Sequence, residues 1–240
     1  MFAGPNGSGK STFKSVLRTE LLGIYLNPDE IEREIRAHGF LDLRAFDVKA
    51  TADEAFAFLE NSSLLKAAEL TSSAARLQFK DNQLIFASVA VNAYFASVIA
   101  DFLRCKLLER RIPFTIETVM SSPDKVKLLE TAQRLGYRTY LYYIATDDPE
   151  INISRVRNRV RQGGHDVPED KIVSRYGRSL NLLMDAIAHT NRAYIFDNST
   201  QDQTRPWLAE VTDGRVLEMR TDLMPAWFKR AVWDKINPPA

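Results

Sequence analysis

Apolar residues follow two alternating rhythms along this chain. Short, dense runs of β-branched and aromatic residues give way to longer stretches in which apolar positions recur every three or four residues. The densest run, residues 137–145, predicts the clearest strand, and 23–27, 112–119 and 193–197 predict three more. Residues 11–22 predict the first helix, with Phe13, Val16, Leu17 and Leu21 on one face and Gly23 stopping it. Further helices are predicted over 30–38, broken by Gly39, and from the Pro123 entry to Leu135, capped by Gly136. Two more run over 151–160, broken by Gly163 and Gly164, and from Pro168 to about 189.

This alternation predicts an α/β fold, a parallel sheet with helices on both faces. Ligands of such sheets gather at the carboxyl ends of the strands. Residues 30–112 are longer than a strand–helix–strand crossover requires and read as mostly helical. Within them, Phe79 to Asn82 marks a turn and a last helix is expected over about 84–110. We take about 40–90 as a helical insertion before the strand that carries Glu117. The tail reads as a hairpin over 207–219 turning at Asp213 and Gly214, then an amphipathic helix whose Trp227, Phe228 and Trp233 supply packing. The expected organisation is one domain over 1–200, with the hairpin and helix of 201–240 packed on it.

Between the first strand and the first helix lies Gly4-Pro5-Asn6-Gly7-Ser8-Gly9-Lys10-Ser11-Thr12. It matches G-x-x-x-x-G-K-[ST], the phosphate-binding loop of P-loop NTPases. Glycines let the backbone turn so that successive N–H groups face phosphate oxygens. Lys10 reaches the β- and γ-phosphates, and the Ser11 hydroxyl suits Mg²⁺. The helix starting near Lys10 adds its positive end to the same anion. Only Met1, Phe2 and Ala3 precede the loop, whereas a strand usually has about five residues. We therefore expect further apolar residues before Met1.

Composition narrows the class. Over 240 residues, 45% are apolar, enough for a core, and the formal net charge is +1. That charge gives no global field toward nucleic acid or an acidic membrane. Cys105 is the one cysteine, which excludes an internal disulfide and a cysteine-based zinc site. The apolar stretch 84–103 has the length to span a bilayer. It also holds Ser88, Asn92, Ser97 and Asp101, so we read it as a helix buried on several sides. No signal-like segment opens the sequence, and a cytoplasmic protein is expected.

Two carboxylates sit at predicted strand ends. Asp29 follows Asn27-Pro28, and Glu117 interrupts an apolar β-run. Phosphoryl transfer to an alcohol needs a group that takes the hydroxyl proton, and a carboxylate suits it. Asp29 equally fits a helix N-cap, whereas burying Glu117 is costly without a task. A third feature is basic: Arg155, Arg157, Arg159 and Arg161 precede Gly163-Gly164-His165, with Arg175 and Arg178 beyond. Arginines stabilise the charge that builds on a transferring phosphate, and a double glycine suits the hinge of a closing lid. The alternative is a solvated basic face or an RNA-contacting helix.

The phosphate loop, Asn27-Pro28-Asp29, Glu117-Thr118-Val119-Met120-Ser121, the stretch from Arg161 to Pro168, Arg175-Tyr176 and Phe196-Asp197-Asn198-Ser199 together resemble the zeta-toxin-like family of P-loop kinases. The resemblance covers about 1–200, apart from the helical stretch near 40–90. It implies a γ-phosphate transfer from ATP or GTP, with Mg²⁺, to the 3′-hydroxyl of UDP-N-acetylglucosamine or a similar sugar nucleotide. It further implies that Asp29 is the base, that Glu117 positions the acceptor or the metal, and that Arg161 and Arg175 meet the transferring phosphate. Arg157 or Arg159 could take the place of Arg161, and Asn198 would lie near the nucleotide base. A separate antitoxin protein is the partner it implies. The competing readings are a nucleotide-binding switch or ATPase acting through a protein partner, and an RNA- or DNA-end kinase.

Overall fold

The computed structural model describes residues 1–14, 18–164, 166–200 and 206–238. Val16, Leu17 and His165 lie outside the described residues. In chain order the strands are β1 (Phe2–Ala3), β2 (Ile24–Leu26), β3 (Phe40–Asp42), β4 (Gln78–Lys80) and β5 (Gln83–Ile85). They continue with β6 (Phe114–Thr118), β7 (Tyr140–Ala145), β8 (Arg192–Asp197), β9 (Trp207–Thr212) and β10 (Val216–Met219). The chain divides into two compact units, one formed by Met1–Arg18 and Glu117–Ala240, the other by Thr19–Ile116. The expected insertion of about 40–90 falls inside the second unit.

In the first unit the strand order is β10-β9-β8-β7-β1-β6. β6, β1, β7 and β8 are parallel, and β9 and β10 add an antiparallel edge. This is the mostly parallel α/β sheet with a terminal hairpin that the pattern predicts. β1 is only two residues long, yet it pairs on both sides: Phe2 with Glu117 and Tyr142, Ala3 with Thr118 and Tyr143. Both residues are fully buried. Ala3 is small, which leaves room for the buried Tyr143 ring beside it on the same face. The core around that ring holds Ile195, Leu208, Leu183, Ile187, Trp227 and Phe228.

The first helix is observed as Lys10–Lys14, followed by a 3₁₀ turn at Thr19–Leu21. Phe13 is buried as the apolar stripe requires, but Leu21 is exposed, because the helical rhythm does not persist to that turn. Asp213 and Gly214, at φ 48° and 65°, make the tight β9–β10 turn. Beyond it, Ala226–Phe228, a π-type turn at Lys229–Trp233 and Asp234–Ile236 form the terminal helix. Trp227 and Phe228 are completely buried there.

The second unit departs most from the expected pattern. β2 pairs in parallel with Phe114–Ile116 of β6. The helix Pro28–His38 follows, capped by the Asn27 side chain at one end and by Gly39, at φ 79°, at the other. Then comes a three-stranded antiparallel sheet, ordered β3-β5-β4, where a mostly helical region was expected. Asp81 and Asn82 both have positive φ, and they join β4 to β5 in a two-residue hairpin. The helix expected from about 84 begins only at Ala93, where the Asn92 side chain accepts from the Tyr94 and Phe95 N–H groups. It ends at Glu109. Among the described residues, no helix is long and apolar enough to cross a membrane.

Candidate active site

β1 delivers the chain into the phosphate loop at the carboxyl edge of the parallel strands. Gly4, Gly7 and Gly9 have φ of 142°, 73° and 93°, values that an L side chain rarely adopts. Each is also crowded. A Cβ on Gly4 would strike the Ile144 carbonyl, one on Gly7 would lie 2.5 Å from the Asn152 carbonyl, and one on Gly9 would meet the Asn198 side chain. Lys10 is buried at the start of its helix, and its ammonium donates to the carbonyls of Gly4 and Pro5, each at 2.8 Å.

Two asparagines from distant parts of the chain close on this loop. The Asn198 amide donates to the Ser8 carbonyl at 2.7 Å, and the Asn198 backbone N–H reaches the Ala145 carbonyl at 2.8 Å. On the other side, the Asn152 amide donates to the Asn6 carbonyl and accepts from the Thr146 hydroxyl. Thr146 is in turn held through its carbonyl by the Tyr176 hydroxyl at 2.7 Å. Burial above all, with Asp147 nearby, pushes the Tyr176 phenol up, so it remains an O–H donor. Asn152 is completely buried on the helix Pro149–Arg161. Its only sequence signal was a polar residue four positions before the buried Val156, on the same stripe.

Among the described residues, two buried side-chain atoms of the loop have no hydrogen-bond partner: the Ser8 hydroxyl and the Asn6 Oδ1. Buried polar groups normally find partners, and those left over at a glycine-built cradle suit a bound anion. The Ser11 hydroxyl, at the rim, donates to the Glu117 carboxylate at 2.8 Å. Glu117 is half-buried beside β1, opposite Phe2. Three residues later Met120 is fully buried at φ 52°, a costly conformation for a bulky residue, and its N–H donates to the Thr118 hydroxyl at 3.0 Å. The backbone thus turns sharply away just after Glu117. Ser11 and Glu117 offer hard oxygens of the kind Mg²⁺ takes. Among the described residues, no group of three or more His, Cys, Asp or Glu gathers as a metal site.

The arginines separate by role. Arg155 donates to the carbonyls of Asn198 at 2.7 Å and Thr200 at 3.0 Å, fastening the segment after β8. Arg157 pairs with Glu169 at 2.6 Å and ties together Pro149–Arg161 and Glu169–Asn181, whose Ile153, Val156 and Ile172 cluster with Val167 of the connecting segment. Arg161 is exposed at the end of the first of these helices, and Arg175 is half-buried on the second. Among the described residues, neither side chain has a hydrogen bond or ion pair. Gly163 and Gly164 cap the helix: Gly163, at φ 84°, donates to the Val160 carbonyl and Gly164 to that of Arg159, both at 2.9 Å. Asp29 lies in the second unit, exposed, in the first turn of Pro28–His38. It is not the N-cap; Asn27 holds that place and accepts the Asp29 N–H at 2.8 Å.

Residues 86–208, more than half of the 240-residue chain, match the model of the zeta toxin family. The chain belongs to the zeta toxin family. An uncharacterized protein of Haemophilus influenzae is 33% identical over 69 residues, which are 29% of this chain and 49% of that protein. The crystal structure of AvrRxo1-ORF1:-ORF2 with ATP is similar in fold to this zeta toxin family chain. It has a TM-score of 0.56 at 14% identity, over 98% of this chain and 62% of that one. The structure of the same complex with sulphate ions has a TM-score of 0.52 at 14% identity, over 91% and 60%. The chain therefore spans about half the length of the bacterial relative and less than two thirds of the solved chains.

Proposed function

We propose that this zeta toxin family member is a kinase that moves the γ-phosphate of ATP or GTP to a hydroxyl of a small metabolite, a sugar nucleotide such as UDP-N-acetylglucosamine being the first candidate. The observation that carries this reading is the phosphate loop with its acidic neighbour: a crowded glycine cradle, a buried lysine, and Ser11 bonded to Glu117 at 2.8 Å. A loop that only held nucleotide would need the cradle and the lysine. The carboxylate at its rim suits a site where a metal or an acceptor is also placed. Membership of the family and a fold similar to a structure solved with ATP support the same reading.

In this reading backbone N–H groups of the loop after Pro5 and the Lys10 ammonium hold the β- and γ-phosphates, with the Ser8 hydroxyl free to donate to them. Ser11, with Glu117 beside it, would hold Mg²⁺, which neutralises charge between the β- and γ-phosphates. The Asp29 carboxylate takes the proton of the acceptor hydroxyl. That oxygen forms a bond to the γ-phosphorus, the bond from the γ-phosphorus to the bridging oxygen breaks, and the nucleoside diphosphate leaves. Arg161 and Arg175, which lack a partner among the described residues, are the guanidinium groups available to the transferring phosphate. A separate antitoxin protein is the partner that the family resemblance suggests.

The test is incubation with γ-labelled ATP, UDP-N-acetylglucosamine and, separately, a metabolite extract. Label on a sugar nucleotide or another small alcohol supports the kinase. Label released only to water supports the ATPase or switch reading instead. Lys10→Ala should lower transfer at least a hundredfold, since it removes the cation at the phosphates; unchanged transfer would show that the label moves elsewhere on the molecule.

A further inference from the structure

The family match ends at residue 208, yet a side chain from beyond it reaches the phosphate loop through a short run of hydrogen bonds. Trp227, completely buried, donates its indole N–H to the Asp197 carboxylate at 2.8 Å. Asp197 is itself buried at the end of β8. It also accepts the Ser199 hydroxyl at 2.6 Å and the Ser199 N–H at 3.1 Å, so it bends the chain around the intervening residue. That residue is Asn198, whose amide holds the Ser8 carbonyl and would be struck by any side chain at Gly9. A second arm closes the circuit. The Trp227 backbone N–H donates to Asp147 at 3.0 Å, and the Asp147 N–H donates to the Ser199 hydroxyl at 2.9 Å.

We infer that Trp227 is a positioning residue of the nucleotide site, acting through Asp197 to set Asn198 against the phosphate loop. The terminal helix is then part of the binding apparatus rather than a cover for the core. The geometry favours this over packing alone. A buried tryptophan needs a partner for its N–H, but any carbonyl of the core would serve. Here the partner is the carboxylate that shapes the turn carrying Asn198. A buried carboxylate in turn depends on its donors. Removing one of three loosens that turn before it loosens the core.

This inference rests on the phosphate-loop reading, and the experiment separates the two. ATP affinity is measured for the full chain, for Trp227→Phe, Asn198→Ala and the double variant, with Lys10→Ala as reference. Phenylalanine fills most of the indole site and removes the donor. Trp227→Phe is expected to weaken ATP about tenfold in the wild-type background and less than twofold when Asn198 is already alanine, because the effect passes through that residue. An equal factor in both backgrounds makes Trp227 a merely structural residue and overturns the inference. So does wild-type affinity in Trp227→Phe. If Trp227→Phe does not fold, Asp197→Asn replaces it in the same cycle. That change leaves the Trp227 packing intact and puts an amide donor against the Ser199 N–H or the indole. The same two outcomes then decide. A wild type that binds no more ATP than Lys10→Ala overturns the phosphate-loop reading itself.

Discussion

At the scale of single residues, the phosphate loop depends on two amides that its own motif does not contain. Asn152 is buried without exposure, and among the described residues its polar ends meet the Thr146 hydroxyl and the Asn6 carbonyl. Asn152→Ala should therefore take the donor from the half-buried Asn6 carbonyl and leave the buried Thr146 hydroxyl with its long, 3.4 Å bond to the Asp148 carbonyl, at a cost of about 1–3 kcal/mol in urea unfolding. ATP affinity should fall about tenfold with it. A stability loss with no change in ATP affinity would separate Asn152 from the loop. Glu117 and Asn198 could be picked from the sequence because each stands at a strand end, where α/β sheets collect ligands. Asn152 could not, since a periodicity search follows apolar residues and passes over a polar member of the stripe. The arginines show the same limit. Helical spacing puts Arg155 with Arg159 and Arg157 with Arg161 on shared faces, but it names no acceptors. It could not tell that Arg155 fastens carbonyls and Arg157 pairs with Glu169.

At the scale of elements, long and strongly periodic segments were legible and short ones were not. β7, β8 and the helix Pro149–Arg161 lie where the pattern puts them. β3, β4 and β5 have three residues each, too few for alternation to register against neighbouring helical spacing. The Asp81-Asn82 turn was visible, but not that strands flank it. The hairpin of β9 and β10 was legible from Asp213-Gly214, and it carries a buried charge that the pattern did not flag. Glu210 is 3% exposed on β9 and is bonded by Arg192 and, at 2.6 Å, by Arg220. Burial by itself would raise its carboxyl, but the guanidinium groups outweigh burial and hold it below the usual carboxylate range. The unfolded chain then binds the proton first as pH falls. The stabilisation is complete above the ordinary glutamate pKa of about 4.3 and is lost as pH drops through the lower folded value. Glu210→Gln should cost about 1–2 kcal/mol at pH 7, a modest figure because both arginines keep contact with water. The difference in Tm between wild type and variant should shrink as pH falls below about 4. A constant difference would mean that the carboxylate charge contributes nothing.

At the scale of the whole molecule, the residues named in the proposed chemistry are divided between the two compact units. Lys10, Ser11, Glu117, Arg161, Arg175 and Asn198 belong to the first, whereas Asp29 belongs to the second. The division was not readable in the sequence, because β6 is one continuous run of sequence whose first residues pair with β2 and whose last pair with β1. Hydrophobic pattern cannot show such a change of partner within a strand. The division nevertheless gives the proposal its sharpest consequence. Nucleotide binding should depend on the first unit alone, and proton transfer from the acceptor on a residue of the second. Asp29→Asn keeps the size of the side chain and its exposed place in the first helical turn, so the fold and the Asn27 cap should stand. ATP affinity should stay within about twofold of wild type, while transfer to the acceptor falls about 10²–10⁴-fold, the usual contribution of a general base. Lys10→Ala should lose ATP affinity and transfer together. If Asp29→Asn transfers phosphate at near the wild-type rate, the base lies elsewhere. If it lowers ATP affinity as much as Lys10→Ala does, Asp29 serves the nucleotide rather than the acceptor.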